Sequence, residues 1–204
     1  MALDRPQPAQ IVRLLLGVNP ARRAIYILGM APAGWYFHRG LTGQLGIDPQ
    51  NILEQALGLW AMRFLVLSLA ITPLRQFDGP NLIRYRRTIG LLAFYYAVLH
   101  LAVYMLLDKD LEVAAIVADV IRRPYVTVGM IALVILVPLA ITSNATMIRW
   151  LGGVNWHRLH RLVYVAAIAG ALHFIMLVKA LALEPLIYVA SVVLLLLLRL
   201  VRCR

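Results

Sequence analysis

Six apolar stretches, at residues 24–37, 53–72, 89–107, 125–142, 159–178 and 186–201, alternate with short connectors rich in arginine. Hydrocarbon offers no water to unpaired backbone N–H and C=O groups, so such stretches cross about 30 Å of lipid as helices of roughly 20 residues. Composition points the same way. Hydrophobic residues make up 62% of the chain and charged residues 14%, against about 45–50% and about 25% in soluble domains. The expected fold is all-α, a polytopic membrane helical bundle of six transmembrane helices, with 1–23 as an N-terminal segment, 24–201 as the transmembrane domain and 202–204 as a tail. The first stretch is the weakest, being short and interrupted by Gly29, Pro32 and Gly34. Its arginine flanks and its lack of a small-residue cleavage site favour a retained span over a removable signal peptide.

Charge sets the orientation. Arg5, Arg13, Arg22 and Arg23 precede the first span; Arg75, Arg84, Arg86 and Arg87 follow the second; Arg149, Arg158 and Arg161 follow the fourth; Arg199, Arg202 and Arg204 close the chain. The other side receives only Arg39, Lys109, Arg122, Arg123 and Lys179, with seven of the nine acids. Lysine and arginine accumulate on the cytoplasmic side, which places both termini there. The net charge of +11 is therefore topology information and not a nucleic-acid footprint. Between Asp108 and Pro124, apolar residues alternate with acids, the pattern of either a short helix on the membrane surface or a greasy connector.

Cysteine and motif content exclude several chemistries. One cysteine, Cys203, leaves no internal disulfide, no thiolate zinc or iron–sulfur site and no covalent haem attachment. There is no G-x-G-x-x-G run and no P-loop, so an electron donor would be a separate molecule.

The five histidines carry the chemistry that remains. An ionisable residue inside a span is costly and marks a functional site by default. His100 lies about 16 Å and His173 about 21 Å from the cytoplasmic starts of the third and fifth spans, at about 1.5 Å per residue. Two neutral imidazoles at one depth suit a six-coordinate haem iron; the competing reading is a pair of interhelical hydrogen bonds. His160, about 20 Å nearer the cytoplasm than His173, is placed for a second redox centre. Thirteen residues at about 100° leave the two side chains some 140° apart, unless Gly170 or a bulge turns the helix. His157 binds an anionic cofactor or caps a helix, and His38 reads as a solvated loop residue. Arg63 inside the second span meets a propionate or a quinone or flavin head group, or else snorkels to an acid. Arg75 and Arg87 are candidates to hold phosphates or propionates among topology-setting neighbours. Thr142 to Asn144 read as a helix cap.

The runs WHRLHRLVY at 156–164, PLIY at 185–188, ITPLR at 71–75, RRTIGL at 86–91 with His100 downstream, and RPYVTVG at 123–129 occur in order. Together they resemble the MsrQ (YedZ) family, haem-binding membrane subunits within the ferric-reductase-like transmembrane group that includes NADPH oxidases. The resemblance covers about 35–198. It implies b-type haem, one or two, with axial ligands drawn from His100, His160 and His173, and it implies FMN. It also implies a bacterial inner-membrane protein that takes electrons from the quinol pool or a cytosolic flavin reductase and passes them to the periplasmic molybdopterin reductase MsrP. His157 matches no ligand of the family. The wider group carries a second histidine on the third span where this chain has Arg86 or Arg87, which leaves one haem or two open. Two other functions compete: a cytochrome b-type ferric, ascorbate or quinone oxidoreductase, and a six-span transporter with histidine proton relays. Against the transporter, the sequence shows no inverted repeat and few intramembrane carboxylates.

Overall fold

The computed structural model describes residues 20–77, 79–178 and 182–201. Asp4, Arg5, Arg13, Asp78, Lys179, Arg202, Cys203 and Arg204 lie outside the described residues, so the charge count above is met there only in part. Regular structure among the described residues is entirely helical: α1 (Pro20–Leu41), α2 (Pro49–Gln76), α3 (Ile83–Val103) continued by a π-helical turn (Tyr104–Asp108), α4 (Val113–Arg122), α5 (Pro124–Ile141), α6 (Ala145–Leu151), α7 (Gly153–His160), α8 (Leu162–Leu177) and α9 (Leu183–Val201). Local chemistry sets the starts. Pro49 and Pro124 occupy first-turn positions whose N–H would be unpaired in any case. Asp48 accepts from the Asn51 N–H at 3.2 Å, and Asn144 from the Met147 N–H at 2.8 Å. The reading of residues 142–144 as a cap is borne out at the end of α5, where the Thr142 and Ser143 hydroxyls donate to the Pro138 and Leu139 carbonyls at 2.6 Å and 2.7 Å.

Among the described residues, four helical stretches are long and apolar enough to cross a membrane: Pro49–Gln76, Ile83–Asp108, Pro124–Ile141 and Gly153–Leu177. The expected first and sixth spans form helices, α1 and α9, but are not among these four. In α1, Arg22, Arg23 and Arg39 sit at the ends around Pro32 and three glycines. The expected fifth span begins earlier than residue 159 and is interrupted at Arg161, between α7 and α8. The break in this span lies at Arg161, and the helix runs without interruption through Gly170. The connector at 142–158 holds two short helices, α6 and α7, that apolar run length gave no reason to expect.

Helix α2 is the centre of the bundle, packed chiefly on α3 and also on α1, α8 and α9, while α5 packs on α8. The core holds Leu57, Leu69 and Ile71 of α2, Leu92 and Tyr96 of α3, and Val192 of α9. Ala166, Ala167 and Ala171 form a small-residue face on α8 that lets its neighbours approach closely. Ile131, Val134, Ile141, Val193 and Leu197 face outward and are exposed, as apolar residues on a lipid-facing surface are.

A buried hydroxyl fastens α1. Tyr96 accepts from the Ala33 N–H at 3.0 Å and donates to the Gly29 carbonyl at 2.8 Å, so its oxygen is inserted into the helical ladder next to Pro32. Gly29 is required at this crossing because a Cβ there would lie 2.4 Å from Leu92 Cδ1. Tyr96→Phe leaves both backbone groups without that partner. It should lower stability by about 1–3 kcal/mol, read as a drop in the thermal midpoint of the purified protein.

Candidate functional site

His100 on α3 and His173 on α8 meet at the centre of the bundle, their ring centroids 6.2 Å apart and their planes at 74°. Each ring is held from behind by a different helix. His100 Nδ1 lies 2.9 Å from the Glu54 carbonyl of α2, and His173 Nδ1 lies 2.7 Å from the Tyr125 carbonyl of α5. A carbonyl can only accept, so Nδ1 carries the proton in both rings and Nε2 keeps its lone pair. The two anchors are built alike. In each helix the residue four positions beyond the accepting carbonyl is glycine, Gly58 after Glu54 and Gly129 after Tyr125. A Cβ on Gly58 would lie 3.1 Å from His100 Nδ1, and one on Gly129 would lie 2.7 Å from His173 Nδ1. The missing side chain lets an imidazole reach a carbonyl already bonded within its own helix.

A cavity of about 1010 Å³ surrounds the pair, running from Leu65, Ala93, Leu136 and Ala166 in the interior to Asp48, Asp108 and Glu184 at one mouth. Among the described residues no three His, Cys, Asp or Glu side chains gather to hold a bare metal ion. Two imidazoles alone do not complete the coordination of a bare ion, whereas a macrocycle supplies the other four positions. Two rings bound to one metal at about 2 Å, each centroid about 1 Å behind its nitrogen, have centroids about 6 Å apart. The donor set, the spacing, the glycine cradles and the cavity volume therefore fit the haem that the sequence resemblance implies.

An ionic clamp fixes one wall of this cavity. Asp119 of α4 accepts from Lys109 Nζ at 2.9 Å, Arg123 Nε at 3.2 Å and the Tyr104 hydroxyl at 3.1 Å. Lys109 also pairs with Asp108 at 3.0 Å. The clamp ties the π-helical turn to α4 and to the start of α5, where Tyr125 presents its carbonyl to His173. The hydrogen bond from Lys109 holds the Asp119 carboxyl below the usual carboxylate range, and the bonds to Asp119 and Asp108 push the Lys109 ammonium up.

The remaining predicted residues stand outside the cavity lining. His160 has both nitrogens occupied, Nδ1 3.0 Å from its own helix's Trp156 carbonyl and Nε2 3.5 Å from Ser143 Oγ, and its ring stacks on Trp156 at 3.8 Å. His157 is exposed and bonds back to the Gly153 carbonyl at 2.7 Å. His38 is exposed beside Trp35. Arg63 donates to the Tyr188 hydroxyl at 3.1 Å, lies 3.8 Å from Glu184 and covers the Trp60 ring at 4.8 Å. Arg75 and Arg87 are exposed, whereas their neighbour Arg86 is turned inward. Sequence reasoning missed Gly58 and the two anchoring carbonyls. An isolated glycine deep in an otherwise helix-forming stretch was the available signal for a close approach.

Residues 57–171 match the model of a family described as ferric reductase like transmembrane component. A protein of Brucella anthropi named protein-methionine-sulfoxide reductase heme-binding subunit MsrQ is 56% identical over 178 residues, covering 87% of this chain and 80% of its own. Proteins of the same name from Brucella ovis and Brucella canis are 54% identical over the same shares. The chain belongs to the MsrQ family. In this MsrQ homologue the family match spans the region from Gly58, just inside its first residue, to Ala171, next to His173. The four apolar stretches fall in line with a transmembrane component.

The clamp makes this wall of the MsrQ site sensitive to pH. Asp119 has a lowered folded-state pKa, so its contribution is present above the ordinary aspartate range and is lost as pH falls through the lowered value. Lys109, being raised, contributes below the ordinary lysine range and is lost only as pH rises through its raised value. Amide hydrogen exchange across α4 should stay slow between these limits and accelerate on acidification. Asp119→Asn should show fast exchange at neutral pH already.

Proposed function

We propose that this chain is a transmembrane b-type cytochrome that holds one haem between His100 and His173 and conducts electrons across the inner membrane to a soluble methionine-sulfoxide reductase. The observation that carries the reading is the facing pair of imidazoles, each fixed in one tautomer by a carbonyl of a neighbouring helix. The printed function of the relatives, a heme-binding subunit of a protein-methionine-sulfoxide reductase, agrees with it. A bound haem supplies reversible one-electron transfer without bond-making chemistry on the protein. The residues do the rest. His100 and His173 donate Nε2 lone pairs, Glu54 and Tyr125 orient the rings and raise their basicity, and the apolar cavity wall excludes water. His160 has no histidine opposite it and both of its nitrogens are engaged, which favours a single haem.

In this reading α1 and α9 complete six spans with both termini cytoplasmic. Arg22, Arg23, Arg75, Arg84, Arg86, Arg87, Arg149, Arg158, Arg161 and Arg199 then lie at the inner end, against Arg39, Lys109, Arg122 and Arg123 at the outer end. The histidine pair then sits in the outer half, so a quinol or a cytosolic flavin reductase delivers electrons from the inner side and MsrP accepts them in the periplasm. No residue is assigned to FMN.

The visible spectrum of the purified chain tests this. His100→Ala and His173→Ala should each abolish the low-spin Soret and α bands, while His160→Ala and His38→Ala should retain them. Full haem retention in His173→Ala refutes the pairing, and loss of half the haem in His160→Ala refutes the single-haem count. Mixing reduced protein with oxidised MsrP should return the bands to their oxidised form.

The cradles make a separate demand. Gly129→Ala should perturb the spectrum and lower haem occupancy more than Gly58→Ala, in keeping with hypothetical Cβ distances of 2.7 Å and 3.1 Å. Unchanged spectra and reduction potentials in both variants would remove the glycines from the account.

A further inference from the structure

Arg199 on α9 turns into the bundle away from the histidine pair, at the level of Tyr164 and Leu69. Its guanidinium donates to the Tyr164 hydroxyl of α8 and, at 2.7 Å, to the Leu69 carbonyl of α2, and its carbon lies 4.9 Å over the Tyr164 ring. From α3, Arg86, half-buried, lies close enough to the same hydroxyl and to the Arg199 charge to interact with both. Every ion pair among the described residues lies elsewhere, on Arg63, Lys109 and Arg123. Two guanidiniums thus converge on one neutral phenol with no carboxylate among the described residues to balance them. Two buried polar atoms beside them also lack partners: Arg199 Nε, and Oγ1 of Thr72, one helical turn beyond Leu69 on α2. Like charges held together in the interior, with an unmade N–H bond, carry a penalty that a bound anion removes.

We propose that this cluster is an anion site for a phosphate group, with Arg86 and Arg199 as its cationic walls and Tyr164 and Thr72 as hydroxyl partners. The donors arrive from α2, α3, α8 and α9, and so from several directions. A tetrahedral phosphate offers oxygens to all of them, whereas a carboxylate matches one guanidinium fork. The phosphate belongs either to a phospholipid of the inner leaflet or to a soluble ester. The site is about 21 Å along α3 from His100, fourteen residues at about 1.5 Å each, and does not depend on the haem reading.

The full chain, purified in neutral detergent, is tested with two probes. Its thermal midpoint is measured in inorganic phosphate against chloride at equal ionic strength, and native mass spectrometry counts phosphatidylglycerol retained against phosphatidylcholine. A rise of about 5 °C in phosphate identifies a site open to soluble esters. Selective retention of phosphatidylglycerol without that rise identifies a lipid headgroup. Arg86→Gln and Arg199→Gln should each abolish whichever response is seen, with the Soret band intact in Arg86→Gln. In chloride, Arg86→Gln should melt no lower than the unaltered protein, because removing one of two unbalanced like charges relieves repulsion. No response to either probe, equal retention of both lipids, a response that survives in Arg86→Gln, or an Arg86→Gln protein that melts lower in chloride would each overturn the assignment.

Discussion

Two hydrogen bonds between helices, from His100 to the Glu54 carbonyl and from His173 to the Tyr125 carbonyl, decide what the centre of this molecule can bind. A helical carbonyl already accepts from the amide four residues on, and its second lone pair is reachable only where nothing projects from that position. Glycine at 58 and 129 clears the approach twice, in helices that are not sequence neighbours. The result is a pair of imidazoles in one tautomer, backed by main chain and not by a titratable side chain. Because the anchors are backbone atoms, the ring orientation does not change with the protonation of Glu54 or Tyr125.

The packing around the pair follows from this requirement. Helix α2 supplies the anchor for His100 and also the largest share of the core, so His100 and the carbonyl that holds it lie on the two most extensively packed helices. Helices α5 and α8 repeat the arrangement on the other side, one carrying the anchor and one the histidine. At the outer end the two halves are joined by Asp119, whose three partners come from the π-helical turn, the α4–α5 junction and the loop between them. A slip of the start of α5 by one residue would withdraw the Tyr125 carbonyl, and the clamp opposes that slip.

Much of this was legible in the sequence, for identifiable reasons. Apolar run length and the bilayer's thickness located the helices, because backbone hydrogen bonding in lipid leaves few alternatives. Depth along two parallel helices brought His100 and His173 together, since the rise per residue is fixed. What was not legible depends on contacts between distant parts of the chain. Nothing near Glu54 or Tyr125 in sequence announces that a carbonyl there meets an imidazole 46 or 48 residues away. The break at Arg161, between His160 and His173, was likewise not legible in the apolar pattern, which runs through it without a proline or glycine. Of two adjacent arginines, 86 and 87, the second is exposed and the first faces Tyr164 and Arg199, a choice that depends on side chains 78 and 113 residues away and not on anything local.

That selection links the two ends of the bundle. At one end Lys109 and Arg123 pair with Asp108 and Asp119, and the polar groups around Asp119 are satisfied. At the other, Arg86 and Arg199 share Tyr164 with no carboxylate paired to them among the described residues, and Arg199 Nε lacks a partner. An imidazole at position 86 would place a second nitrogen ligand at the level of His160, whose ring already feels the charge at that position. An arginine there has no lone pair to give a metal, because its guanidinium stays protonated, and it repels any further cation from the same level. On the single-haem reading proposed above, Arg86 would therefore leave metal binding to the His100–His173 pair and, with Arg199, would favour negative charge at its own end of the bundle.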